Sequence, residues 1–356
     1  MRVLMTTRKV DEQDRRVAFA VRWVRALAAR VEHLTVICQE RGPAALPPNV
    51  TLTSLGKERG QGRARQLAAF YRATSGAVRR SDAIFCHMIS RYAWLIAPLA
   101  RLHGVPVVLW YIHRHANLEL RLALALADRV VTAAPGSFPL ESRKVIPVGH
   151  GIDTTLFHPA DPSAEDSPPQ VVMVARLSPI KHHRTMIEAA ALLRERHGVK
   201  DVTFVAVGDE PLESRGYRAT LEAEIARRGL EGHFRLMGAV PYEAVPDIYR
   251  RSAVALNLSP PGLFDKAALE AMLCARPVIV ASTAFADLLG AHADKLLIAT
   301  PQDAEGLAER LAALLKAGPD RRAQIGADLQ RTAYQAHSLD GLMDRLVTVL
   351  AGSREP

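Results

Sequence analysis

Short apolar runs rich in β-branched residues alternate with helix-period segments along this chain, and the alternation happens twice. The first series is RVLMTT (2–7), HLTVIC (33–38), AIFC (83–86), VPVVLWY (105–111), RVVTA (129–133) and KVIPV (144–148). Amphipathic stretches such as VAFAVRWVRALAARV (17–31) and LIAPLARLH (95–103) lie between them. Runs without strict polar alternation indicate strands buried on both faces, as in a parallel sheet covered by helices. After FHPADPSAEDSPPQ (157–170), rich in Pro, Ser and acidic residues, a second series follows. It comprises VVMVA (171–175), DVTFVAVG (201–208), HFRLMG (233–238), AVALNL (253–258), PVIVAS (277–282) and KLLIA (295–299), with DAEGLAERLAALLKAG (303–318) the most regular helical stretch. The fold class is therefore α/β: two doubly wound Rossmann-like domains, residues 1–160 and 170–335, joined by a linker at 161–169. A length of 356 residues agrees with two domains. Ligands in such sheets bind beyond the carboxyl ends of the strands, and two domains make a cleft there. The last segment, SLDGLMDRLVTVLAG (338–352), puts Leu339, Leu342, Met343, Leu346 and Leu350 on one side of a helix that needs a partner surface.

Several classes drop out. No GxGxxG follows the first strand, and GxxxxGK[ST], GxSxG and HEXXH do not occur, which removes the main supports for dehydrogenase, P-loop, serine hydrolase and zinc-protease readings. No run of about 18 apolar residues is present, so no membrane-spanning helix is expected. MRVLMTTRKV is too short an apolar start for a secretory signal. Cys38, Cys86 and Cys274 have no ligand spacing and read as small buried hydrophobes in a reducing cytoplasm. Charge is unevenly placed: residues 1–100 carry 17 Lys and Arg against 7 Asp and Glu, whereas residues 101–356 carry 29 against 30. Arg63, Arg65, Arg72, Arg79 and Arg80 fall on one expected helix. They are either a solvated face or an attraction to an anionic membrane or acidic substrate. Nucleic acid is disfavoured, because aromatic residues are only 5% and do not interleave with the arginines.

Three features of the second series fall at strand ends. Arg176 follows a buried strand in VVMVARLSPIK, and Lys181 precedes a helix; Arg forks onto two oxygens while Lys acts as a point charge, a combination suited to a diphosphate. VGDEP occupies 207–211. NLSPPGLFDKAALEAM (257–272) is a Pro/Gly loop running into an alanine-rich helix whose first N–H groups suit a phosphate. The plainer alternative makes Asp265 an N-cap and Glu270 a surface carboxylate paired with Lys266. In the first series, His113 and His115 sit just past a strand, either at an active site or as solvated loop histidines.

ARLSPIK, VGDEP and FDKAALEAMLCARPVIVAS together resemble the retaining glycosyltransferases of family 4, which have the two-Rossmann-domain GT-B fold. IPVGHGIDTTLFHP (146–159) resembles that family's link between domains, with His150 in place of the usual Asn. The resemblance covers nearly the whole chain. It implies that residues 336–356 form a helix crossing back onto the first domain. It also implies a donor site of Arg176, Lys181, Val240, Gly262, Leu263, Phe264, Asp265 and Glu270, in which the two cations face the diphosphate and Glu270 holds the ribose. His113 would lie beside the donor sugar and count, with Arg176 and Lys181, among the catalytic residues. Arg8, His87 and His115 would be acceptor-side residues.

Two positions depart from the family pattern. The first glutamate of its E-x7-E motif is Gly262 here, with Asp265 three residues on as a substitute, and TTRKVDEQDRR replaces the Gly-Gly after the first strand. The implied reaction moves a sugar, with retention, from a nucleoside-diphosphate sugar to the hydroxyl of a saccharide or lipid-linked acceptor. It needs no cofactor and no metal, and the expected location is cytoplasmic, with attachment to the inner face of the cell membrane through the arginines. Alternatives are a sugar-nucleotide epimerase of the same fold and a non-catalytic basic protein of the membrane surface.

Overall fold

The computed structural model describes residues 1–14, 19–113, 115–160 and 165–353. The chain divides into two compact units, one made of Met1–Asp153 with the chain from Ala336 onward, the other of Thr154–Gln335. In the first unit the elements run β1 (Arg2–Val10), α1 (Phe19–Ala28), β2 (His33–Arg41), β3 (Val50–Ser54), α2 (Arg63–Val78), β4 (Ala83–His87), α3 (Ser90–Leu102), β5 (Val107–Trp110), α4 (Leu118–Leu126), β6 (Arg129–Thr132) and β7 (Val145–Pro147). In the second they are β8 (Gln170–Val174), α5 (His183–Glu195), β9 (Thr203–Val207), α6 (Tyr217–Arg227), β10 (Phe234–Gly238), α7 (Val245–Arg251), β11 (Val254–Asn257), α8 (Lys266–Leu273), β12 (Val278–Val280), α9 (Ala286–Leu289), α10 (Ala293–Leu296), α11 (Ala304–Lys316) and α12 (Gly318–His337). The final helix, α13 (Leu339–Gly352), belongs to the first unit.

Both sheets are parallel, in the orders β3-β2-β1-β4-β5-β6-β7 and β10-β9-β8-β11-β12. The α/β, doubly wound expectation is met. Successive β1 residues explain why its sequence lacks polar alternation. Val3 and Met5 pack into one core with Trp23 of α1, while Leu4 packs into the other with Phe70 of α2 and Ile96 of α3. The apolar stripe of α13 finds its partner in the first of these cores, where Leu342, Met343, Leu346 and Leu350 join α1. Ser338 caps α13 by accepting from the Gly341 N–H. Gly149 stands where the chain leaves the first unit: with φ at 92°, a Cβ there would lie 2.2 Å from the Ala336 carbonyl oxygen. Only glycine allows that close approach.

Three details differ from the sequence reading. The units divide after Asp153 rather than inside 161–169, of which residues 161–164 lie outside the described residues. The physical reason is that the flanking residues are anchored in the second unit. Phe157 is fully buried against Tyr242, Asp166 pairs with Arg251, and Glu165 pairs with the buried Arg322 and lies 3.9 Å from Arg276. KLLIA is not a sixth strand of the second sheet: α10 takes its first half, and only a single bridge joins Leu297 to Val280. VTLTS (50–54), too polar and half-exposed to stand out as a core run, is the edge strand β3.

Candidate functional site

In the second sheet the strand order reverses between β8 and β11, whose immediate neighbours are β9 and β12. A crevice opens at the carboxyl ends of strands at such a switch point, because the connecting helices leave on opposite faces. The loops beyond β8 and β11 meet there. Lys181, at the end of a short turn after β8, donates to Ser259 Oγ at 3.0 Å and pairs with Asp265. The Ser259 hydroxyl donates to Asp265 Oδ2 at 2.8 Å, and the other Asp265 oxygen accepts from the Ala267 N–H at 3.2 Å. Asp265 is thus the N-cap of α8 and the counter-ion of Lys181 at once. Burial alone would raise its carboxyl; the Lys181 charge and the hydrogen bonds from Lys181, Ser259 and Ala267 win and pull it down to about 2.

Glu270 lies one turn further into α8. It is paired with Lys266 at 3.5 Å, yet it is not a surface carboxylate, being only 3% exposed. The Tyr242 hydroxyl donates to it at 2.7 Å. Burial raises its carboxyl above the ordinary value, against the Lys266 charge and the Tyr242 hydrogen bond. The loop in front of α8 turns at Pro260–Leu263, where the Leu263 N–H reaches the Pro260 carbonyl at 3.1 Å and Gly262 takes φ at 75°. Phe264 stacks on the buried Phe285 at 4.5 Å, which fixes the approach of the loop to the helix.

Arg176 stands apart from this cluster. Its side chain is exposed and reaches Glu213 at 3.4 Å. The two cations therefore do not converge on one carboxylate; Lys181 is pinned, and Arg176 projects from a rigid base. That base is VGDEP: a Cβ on Gly208 would lie 2.1 Å from the Ala175 carbonyl oxygen. Asp209 accepts the Ala239 N–H on its side chain and the Leu177 N–H on its carbonyl, both at 2.9 Å, tying together the loops after β8, β9 and β10. Val240, half-buried, follows in the same loop as Tyr242.

Sequence reasoning missed Ser259 and Tyr242. Ser259 had a local signal, two residues past a strand end; Tyr242 had none, because its partner is 28 positions away.

In the first unit His113 and His115 are exposed just beyond β5. His113 touches the edge of the Tyr111 ring at 5.5 Å, and the Tyr111 hydroxyl donates to the His115 carbonyl at 2.8 Å. Arg8 is exposed but lies within β1, which runs on to Val10. His87 does not offer itself to an acceptor. It is 2% exposed at the end of β4, its Nδ1 is 3.0 Å from the Thr7 hydroxyl, and its ring lies 4.7 Å from that of Trp23. Burial pushes its imidazole down to about 3, so it is a neutral core residue. The three cysteines are buried and unpaired. Among the described residues, no three His, Cys, Asp or Glu side chains converge as a metal set, and no helix is long and apolar enough to cross a membrane.

Residues 168–317 match the family model described as Glycosyl transferases group 1. D-inositol 3-phosphate glycosyltransferase of Kribbella flavida is 31% identical over 148 residues, covering 39% of this chain and 35% of that protein. 2-Deoxystreptamine glucosyltransferase of Streptomyces kanamyceticus is 27% identical over 232 residues, covering 62% and 56%. The match thus spans about a third to somewhat over half of these relatives. Among solved structures, Anabaena Alr3699/HepE in complex with UDP superposes with a TM-score of 0.76 at 20% identity, over 99% of this chain and 100% of that one. Sucrose-phosphate synthase from Thermosynechococcus elongatus gives 0.72 at 16%, over 98% of each. The fold is GT-B.

Proposed function

We propose that this chain, whose residues 168–317 match the family model Glycosyl transferases group 1, is a retaining glycosyltransferase that moves a sugar from a nucleoside-diphosphate sugar to an acceptor hydroxyl. The observation that carries the reading is the cluster at the switch point of the second sheet. Lys181, Ser259 and the start of α8 meet there, with the buried carboxylate of Glu270 one turn behind. Cleaving the donor separates charge between an oxocarbenium-like sugar and a departing diphosphate. Lys181 and Arg176 stabilise that diphosphate electrostatically, and Glu270 accepts from the ribose. A cation in place takes over what a metal would otherwise do for the leaving group, so the reading needs no metal. Asp265 is engaged as N-cap and counter-ion of Lys181 and Glu270 is given to the ribose, so no covalent nucleophile is assigned, and retention is assigned to transfer in which the leaving phosphate takes the acceptor proton on the same face. His113 enters as a donor-sugar residue on the family resemblance.

The acceptor reading is a saccharide or a lipid-linked saccharide used at an anionic membrane. Its support is α2, where Arg63, Arg65 and Arg72 are exposed and Leu67 and Tyr71, one turn apart between them, are 42% and 43% exposed. Apolar side chains flanked by arginines suit a headgroup interface.

The test is release of nucleoside diphosphate from a panel of nucleoside-diphosphate sugars, UDP-glucose first, with and without acceptors that include inositol phosphates, 2-deoxystreptamine and lipid-linked saccharides. Acceptor-dependent release with an α-linked product from an α-linked donor supports the reading. Donor binding with interconversion of the sugar and no glycosidic product would make the protein an epimerase instead.

A further inference from the structure

This inference rests on the donor reading above, in which Glu270 meets the donor ribose. A carboxylate on a helix that is 3% exposed needs something to hold it in one rotamer and keep it ionised. Lys266, one turn earlier, is a weaker hold by itself, since its side chain is 45% exposed and water screens its charge. Tyr242 is better placed. It opens the short turn Tyr242–Ala244 between β10 and α7, and its hydroxyl donates to Glu270 Oε1 at 2.7 Å. Its ring is held from two sides. Phe157, fully buried, lies 5.3 Å away at 60°, and the Lys266 ammonium stands 4.7 Å over the ring centroid. Lys266 also addresses Oε1, at 3.5 Å. Both contacts of the carboxylate with described residues therefore fall on one oxygen.

We propose that Tyr242 is a positioning residue for the donor: by holding Glu270 through Oε1 it turns Oε2 out as the acceptor for a ribose hydroxyl of the nucleoside diphosphate. A preset acceptor spares the ligand the cost of ordering the side chain. A hydroxyl that merely fills space would contribute equally to any ligand, whereas this one matters only to a ligand carrying the ribose hydroxyl that Glu270 accepts. Because the ribose is held alike in the ground and transition states, its loss raises KM and leaves kcat unchanged.

The test is a cycle between protein and ligand. Tyr242→Phe keeps the ring on Phe157 and beneath Lys266 and deletes only the hydroxyl. Affinities of wild type and variant are measured by calorimetry for UDP, 2′-deoxy-UDP and 3′-deoxy-UDP, with ADP and GDP alongside to find the preferred base. The expected result is a loss of about 10-fold for the intact nucleotide in Tyr242→Phe, the scale of a hydrogen bond to a charged group. For at least one deoxy analogue the variant and wild type should agree within about 2-fold. In turnover, KM for the donor should rise about 10-fold with kcat within about 2-fold of wild type. Glu270→Gln/Tyr242→Phe should bind no worse than Glu270→Gln alone. Equal losses for intact and deoxy nucleotides, or no loss, overturn the positioning role while leaving the donor reading standing. Failure of wild type to bind any nucleoside diphosphate overturns both.

Discussion

Lys181→Met separates what the lysine does for the fold from what it does for the donor. Its partner carboxyl, Asp265, is held at about 2 against an ordinary 3.8. Burial works against that shift, so it is a floor on what Lys181, Ser259 and the helix N–H supply together. At about 1.4 kcal/mol per pKa unit, the depression corresponds to roughly 2 kcal/mol. The side chains are 18% and 19% exposed, so the pair is not the screened surface type whose worth is near zero. Methionine keeps the stem and removes the charge, leaving Asp265 partly buried with only Ser259 and the Ala267 N–H. The second unit should lose about 2–3 kcal/mol, a fall of about 5–10 °C in Tm for a domain of its size.

The sign with pH follows from the depressed carboxyl. The stabilisation is present above the unfolded value near 3.9 and is lost as pH falls through about 2. The gap between wild type and Lys181→Met should therefore be full at neutral pH and shrink between pH 4 and 2. Adding Asp265→Asn removes the stranded charge, and the double variant should recover most of the Tm. Turnover should not recover: with the Lys181 charge gone from the diphosphate, both variants should remain at least about 100-fold slow. Thermal melts at pH 7 and pH 3, with nucleoside diphosphate release measured at pH 7, decide the matter. A Lys181→Met protein as stable as wild type, or a double variant with restored turnover, would refute the reasoning.

Glu270→Gln should raise Tm at pH 7 while weakening donor binding about 10-fold or more. Its carboxyl is raised by burial, so its contribution to stability is present below the unfolded value near 4.3 and lost as pH rises through the folded one; a variant that binds donor normally would remove Glu270 from the site. Arg176→Ala should leave Tm within about 1 °C, since its pair with Glu213 is exposed on both sides, and should lower turnover by about 100-fold; full activity would limit the diphosphate contact to Lys181. Turnover with excess chelator should equal that without, and a need for added Mg²⁺ or Mn²⁺ in the chemical step would contradict the electrostatic role given to the two cations. Liposome sedimentation should show binding to anionic vesicles that fades between low and high salt and is lost when Arg63, Arg65, Arg72, Arg79 and Arg80 become Gln; equal binding to neutral vesicles would leave α2 an ordinary solvated face.

What the linear sequence determined here is what neighbours along the chain decide. Strands buried on both faces announce themselves as unbroken apolar runs, as in β5 and the middle of β8, because every position there meets a core. The cap at Asp265 and the helix behind it are local as well, resting on a side chain and an N–H two residues apart. Residues at strand ends, such as Arg176 and Lys181, could be put near a ligand because a parallel sheet sends its loops to one edge. Local pattern could not say which of those residues would meet. Lys181 joins Ser259 and Asp265 across 78 and 84 positions, whereas Arg176, five residues before it, turns to Glu213. The hold of Tyr242 on Glu270, the burial of His87 against Trp23, and the anchoring of residues 157–166 in the second unit are also products of packing. A side chain's charge state and accessibility depend on which distant groups exclude water from it, and only the tertiary structure assembles those groups.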